Sequence, residues 1–495
     1  MPLLAADGST VAELLTAYVA IATAAGTAFW AVTKHIADRK EAREQQRLQE
    51  TAQLEQRRVE EIRARQQRAA ELVKAVGDAT EDRPRRWTMS ALSLYPEEAL
   101  DLLLNSLGEA TPEDAAAIKI AVISIGPRAL RRTVRAHRIA RQICRTGQTE
   151  GVPEGAPIQR QIDTETAEKV RDCTRAIILQ LLFQLTEHER AAVDLAHVDL
   201  TGVSLAGARL SHLSFRRAHL DRAVLIKASL DHAVLTDATI DGAALRAASL
   251  EQADLTRASG AVHAIGVHLT GAVLDHAALA GSDLRAAHLR NAVLNETDLS
   301  TSALAGAGLS GAVLTGAHLM HVKGRGLKGA QLTAVKVDLS HAELEEAHVQ
   351  SAAFDDCTLV ALAATGLQAA EATFTRCNFG GAHLDQAVLA RAQFRQCNLG
   401  GVDLTRADLS SAVLEGCGLS STKLVRATVD GVRFVGCRFS GPVDFTGTDL
   451  TSATFEGCEF SAGARLAIDN ETWKGIDDAA ARAAFEGAIA VPTDR

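Results

Sequence analysis

From residue 191 the chain repeats large apolar residues at every fifth position: Leu195, Leu200, Leu205, Leu210, Phe215, Leu220 and onward. Two positions before most of them stands a small or β-branched residue: Val193, Val198, Val203, Ala208, Ala218. Five residues of α-helix turn about 500°, so each Leu would land about 140° from the last and no face would be apolar. In a straight strand an odd period flips the side chain at every repeat. A chain that turns a corner every five residues escapes both problems and keeps one large and one small side chain inside per side. The coil length is written in the sequence. Cys357, Cys377, Cys397, Cys417 and Cys437 are spaced by 20, and Cys458 follows one residue late, after an insertion near Pro442. Phe354, Phe374, Phe394, Phe434 and Phe455 keep the same period. Four sides of five residues therefore make one coil, and neighbouring coils are expected to pair as parallel strands about 4.8 Å apart.

The segments ADLTR (253–257), VDLTRADLSSAVLEG (402–416) and CNFGGAHLDQAVLARAQF (377–394) resemble the pentapeptide-repeat family, whose pattern is A(D/N)LXX. The resemblance implies a mainly β fold, a right-handed quadrilateral parallel β-helix over 190–460. A solenoid of that length would hold about 13 coils and run roughly 60–65 Å. Three stretches depart from the pattern. Residues 256–268 lose register. Around 324–337 and 360–372 large and small residues trade places, so that Leu327, Leu332, Leu362 and Leu367 take the small slot. These irregularities are expected to bulge or bend the rod and are the candidate docking sites.

The segments before the repeat read differently. Residues 14–32 carry no charge over a length that spans a bilayer core, within an amino-terminal segment 1–33. Basic residues follow it (Lys34, Arg39, Lys40, Arg43), which predicts an external amino terminus and the remainder in a bacterial cytoplasm; a buried soluble helix is the other reading. Residues 34–77 read as one charged stalk helix with a weak seam at Val59, Ile62 and Ala69. That helix is either solvated or a coiled coil through which two chains could dimerise. Residues 84–147 have helical periodicity broken at Gly126-Pro127, and resemble HEAT-type repeats loosely. Arg131, Arg132, Arg135, Arg138 and Arg141 form a basic face, read as solvated in preference to lipid- or nucleic-acid-binding. Residues 146–162 read as a linker. A helix over 163–189, capped by Asp163 or Thr164, is expected to cover the amino end of the rod, and 461–495 its carboxyl end.

Composition sharpens this picture. Trp and Tyr are absent from 191–460, so Phe is the only large apolar ring in the repeat. Residues 191–495 carry 34 acidic against 25 basic side chains, so the whole net charge of −9 lies there. Such a balance excludes a general nucleic-acid binder. Gyrase-protecting members of the family resemble a DNA duplex, which implies DNA mimicry as the alternative role. The six laddered cysteines sit at the small inward slot without CxxC spacing, and read as core thiols rather than metal ligands or disulfides. His212 and His232, His268 and His288, and His321 and His341 are pairs 20 apart, too few for a closed metal site. No nucleotide or metalloprotease motif is present. The expectation is a non-enzymatic, membrane-anchored interaction protein without metal or cofactor, using the β-helix to bind a protein.

Overall fold

The computed structural model describes residues 49–72, 94–146, 163–190 and 193–461, the backbone of 465–467, and a few isolated positions between 34 and 91. The candidate membrane segment 14–32 lies outside the described residues, as does the expected cap at 461–495 apart from residue 461 and the backbone of 465–467. Among the described residues no helix is long and apolar enough to cross a membrane.

The molecule divides into two compact units, Met1–Ala99 and Leu100–Arg495. In the first, residues 49–72 form one helix (α1) whose Leu54, Val59 and Ile62 are exposed, while Ala69 is buried. Arg65 pairs with Glu98 at 3.6 Å. Pro96–Ser106 (α2) crosses the division.

The second unit continues with α3 (Pro112–Ile125). Its first turn is fixed by Thr111, whose hydroxyl accepts the Asp114 N–H at 3.2 Å. The Gly126-Pro127 pair forms a single 3₁₀ turn, Gly126–Ala129, and α4 (Leu130–Thr146) leaves it directly. Pro at that position lacks only a donor that a helix start leaves unused. The helix α5 (Thr164–Gln184) begins at Asp163, whose carboxylate accepts the Thr166 N–H at 2.7 Å. It packs against α4, and its Ile177, Ile178 and Leu181 are fully buried.

From Val193 the chain is a parallel β-solenoid. Coils pair at four positions five residues apart; Asp194↔Ser214, Asp199↔His219, Ser204↔Val224 and Arg209↔Ser229 illustrate one step of 20. Three-residue strands first form at β1 (Val313–Thr315). They continue as β2 (Thr333–Val335), β3 (Ala353–Asp355), β4 (Thr373–Thr375), β5 (Gln393–Arg395) and β6 (Val413–Glu415). With Arg433–Val435 and Thr454–Glu456 they make one eight-stranded parallel sheet, which defines about seven turns. Regular strands therefore account for only part of the expected coil number; before Val313 the step continues as single-residue bridges. The difference is local. The second residue after nearly every large one is left-handed. On the strand-forming side the first residue after the large one joins the strand, whereas elsewhere it belongs to the turn and leaves one residue free to pair. The parallel pairing, the five-residue sides and the inward placement of large and small residues match the sequence reading.

The register slip is absorbed at one corner. Ser259 bridges Ala278 and Ala244 bridges His263, steps of 19. Gly260 has φ +119, and a Cβ there would sit on the backbone of Asp241, so only glycine fits. The late insertion is absorbed at Gly441-Pro442, after which Pro442–Asp444 pairs with Arg465–Ala467.

Candidate functional site

Inside the solenoid the expected columns are present. Phe354, Phe374 and Phe394 stack at 5.0 and 4.9 Å, and Phe434 stacks on Phe455 at 4.8 Å. Phe379 meets Phe374 edge-on at 5.2 Å. Cys357, Cys377, Cys397, Cys417 and Cys437 are buried, and Cys458 at the end of the column is half-buried. None forms a disulfide.

The thiols do more than fill space. Each of the five buried thiols donates to the carbonyl of the residue 23 positions earlier, in the preceding coil: Cys377 to Phe354 at 3.5 Å, Cys397 to Phe374 at 3.3 Å, Cys437 to Leu414 at 3.2 Å. Cys458, past the insertion, donates to Phe434, 24 positions earlier. Hydroxyls take the same place elsewhere: Thr297 donates to Leu274 at 2.8 Å and Thr422 to Leu399 at 2.9 Å. The slot is therefore a small donor that satisfies a buried carbonyl. The reading of these cysteines as inert small residues missed this. The hydrogen bond with the preceding thiol, together with burial, pushes Cys377, Cys397, Cys417 and Cys437 up to about 12. These four thiols are neutral and poorly nucleophilic, whereas the hydrogen bond with Cys377 holds Cys357, at the start of the column, below the usual thiol range.

Leu327, Leu332, Leu362 and Leu367 are all buried. The exchange of large and small is a trade inside the core: a Cβ on Gly329 would collide with the end of Leu332. The Gly308↔Lys328 and Gln368↔Val388 bridges run through both stretches. A partner at these coils would meet only their outer faces. The trade leaves a void of about 40 Å³ lined by Leu309, Leu314, Leu327, Leu332 and Phe354.

On the outer faces, His212–His232, His268–His288 and His321–His341 stack at 4.8, 4.7 and 5.0 Å. Parallel rings aim their nitrogen lone pairs side by side rather than at one point. Among the described residues no group of three or more His, Cys, Asp or Glu could hold a metal ion. Many carboxylates are paired across coils: Asp237 with Arg257, Glu371 with Arg391, Glu456 with Arg433, Glu459 with Arg438.

The amino end is built by α4. Arg138 donates to the carbonyl and the carboxylate of Asp194, both at 3.2 Å. Arg141 donates to the His197 carbonyl at 3.1 Å and lies 3.7 Å from the Asp199 carboxylate. Two members of the basic face thus clamp the first coil, a role the sequence did not disclose. Between them His137 is fully buried. Its Nε2 accepts the Asp199 N–H at 3.1 Å, so the ring proton is on Nδ1, which faces the Arg171 carbonyl at 3.2 Å. Burial pushes this imidazole down to about 4. Burial works against the Asp199 carboxylate, yet its hydrogen bonds with Thr201 and the nearby Arg141 charge hold it below the usual range.

Two family models match the solenoid. "Pentapeptide repeats (8 copies)" matches 191–222, 199–237, 218–257, 265–302 and 282–320, and "Pentapeptide repeat region" matches 387–462. Among solved structures, HetL from the cyanobacterium Nostoc, a pentapeptide repeat protein involved in heterocyst differentiation regulation, is similar at 22% identity. It covers 56% of this chain and 89% of its own, with a TM-score of 0.15. A trypsin-treated form of QnrB1, a plasmid-mediated fluoroquinolone resistance protein, is similar at 12% identity, covering 45% and 92%, with a TM-score of 0.23. A pentapeptide repeat protein of the Arabidopsis thaliana thylakoid lumen is similar at 21% identity, covering 25% and 69%, with a TM-score of 0.11. No curated protein matches the sequence.

Proposed function

The chain belongs to the pentapeptide-repeat family, and from that premise we propose that it is a non-enzymatic scaffold whose β-helix binds another protein through its outer faces. The observation that carries this is the filled interior: within the rod the void of about 40 Å³ is apolar and has no room for a substrate. Rigid outer faces repeating every coil suit a protein-binding surface. In the fuller form of the proposal the rod has about 13 coils, each 20-residue step being one coil, as the single-residue bridges support. Residues 14–32 anchor it to the bacterial cytoplasmic membrane with the β-helix in the cytoplasm, and the stalk over 34–77 brings two chains together.

Crosslinking and pull-down of the full chain from membranes tests the binding role. A partner recovered with wild type, and lost when outer-face residues are altered without loss of folding, supports it. Fractionation tests the anchor, and recovery of the whole chain without membranes rejects it.

A second reading, a DNA-like rod that binds a topoisomerase, draws on the net charge of −9 in 191–495. Against it stand the cross-coil pairs such as Arg257–Asp237 and Arg391–Glu371, which break up any continuous anionic stripe. Stoichiometric protection of gyrase in a supercoiling assay would replace the first reading with this one.

A further inference from the structure

The geometry points to a binding site for a phosphoryl group in the cleft between α4 and the first coil. The cleft encloses about 510 Å³ and is lined by Arg138, Arg141, Gln142, Arg145, Thr146 and His197. That volume lies within the range of small-ligand sites. Its wall holds three guanidinium groups, one imidazole and no carboxylate.

The two carboxylates nearby are already committed. Asp194 is held by Arg138 and Ser214, and Asp199 lies against Arg141 and Thr201. Arg145, in the last turn of α4, is exposed and makes no hydrogen bond or ion pair among the described residues. Arg138 also keeps a buried Nε without a partner. One unmatched guanidinium and one orphaned donor thus border a cleft whose local charge is positive. The field is visible at His197: burial lowers its pKa first, and Arg138, Arg217 and Arg141 lower it further. A planar, forked donor set recognises the oxygens of a phosphoryl group better than a single carboxylate, because each guanidinium can engage two oxygens. The site lies at the amino end of the rod, and its assignment does not rest on the scaffold reading.

The test uses the full chain with inorganic phosphate, read by isothermal titration calorimetry. A parallel arm uses phosphatidylcholine vesicles with and without phosphatidylglycerol. Phosphate is expected to saturate one site, and Arg145→Gln to weaken it about tenfold with an unchanged melting temperature, since Arg145 does not clamp the first coil. The same loss on phosphatidylglycerol vesicles, beyond that on neutral ones, would assign the phosphoryl group to a lipid headgroup; loss with free phosphate alone would assign it to a soluble ligand. Should Arg145→Gln fail to fold, Arg145→Lys keeps the charge but removes the fork and is expected to weaken phosphate severalfold. Absence of saturable binding in both arms, or equal binding by wild type and variant, overturns the proposal.

Discussion

The stretch 193–310 and the stretch 313–460 are one solenoid built from two interiors. The first is Leu over Ala, with Phe215 its only ring, and it pairs by single-residue bridges. The second stacks Phe and Cys in columns and adds three-residue strands on one side of the coil, while its other sides keep mainly single-residue bridges. At its amino end the first is clamped by polar contacts from α4, while the second satisfies its corner carbonyls with thiols. The same coil can therefore be held by packing and an end clamp, or by packing and an internal donor column. Because each coil touches only its neighbours, the two solutions coexist in one chain.

Breaking the ring column should have the largest effect. Phe374→Ala removes a buried ring stacked on both sides, and is expected to cost about 4 kcal/mol. Hydrogen exchange should then rise in the adjoining coils and stay unchanged before residue 310. A uniform rise across both stretches would show that the interiors do not act separately.

Next comes the clamp. His137 is neutral in the folded protein, down to about 4 from an ordinary 6.5. Above pH 6.5 it is neutral folded and unfolded. As pH falls from 6.5 toward 4 only the unfolded chain takes the proton, so stability drops, by on the order of 3 kcal/mol. Below about 4 both states are protonated and this source of loss ends. Thermal melts across that window should show the drop, and His137→Gln should flatten it.

The donor column is tested more finely. Cys397→Val keeps the size and removes the donor to the Phe374 carbonyl, at an expected cost of about 1 kcal/mol. Cys397→Thr should be nearly neutral, as Thr422 already makes the same bond. Equal melting temperatures for the two variants would reduce the thiol to a filler. The smallest effect is expected in the first stretch. Thr301 is β-branched at φ 62, and Thr301→Gly should stabilise by about 1 kcal/mol, read as a higher denaturation midpoint.

The period, the inward slots, the cysteine and phenylalanine columns and the slip at 256–268 could be read from the sequence because each is a repeat within the chain. The Asp163 cap and the Gly126-Pro127 turn were readable because they are local. What escaped depends on distance or on partners. Arg138 looked solvated because Asp194 is 56 residues away and only the fold brings them together. The cysteines looked merely small because the carbonyl each one satisfies belongs to the coil below. Leu327 and Leu332 suggested a surface irregularity; the space vacated at Gly324 and Gly329 lets them trade places inside.

The most direct test of the closed, laddered interior is alkylation of the native chain with iodoacetamide at pH 8, read by mass spectrometry of each peptide. Thiols raised to about 12 and buried between coils should stay unmodified at Cys377, Cys397, Cys417 and Cys437, and all four should react once the protein is denatured. Rapid modification of these four in the folded protein would contradict the account.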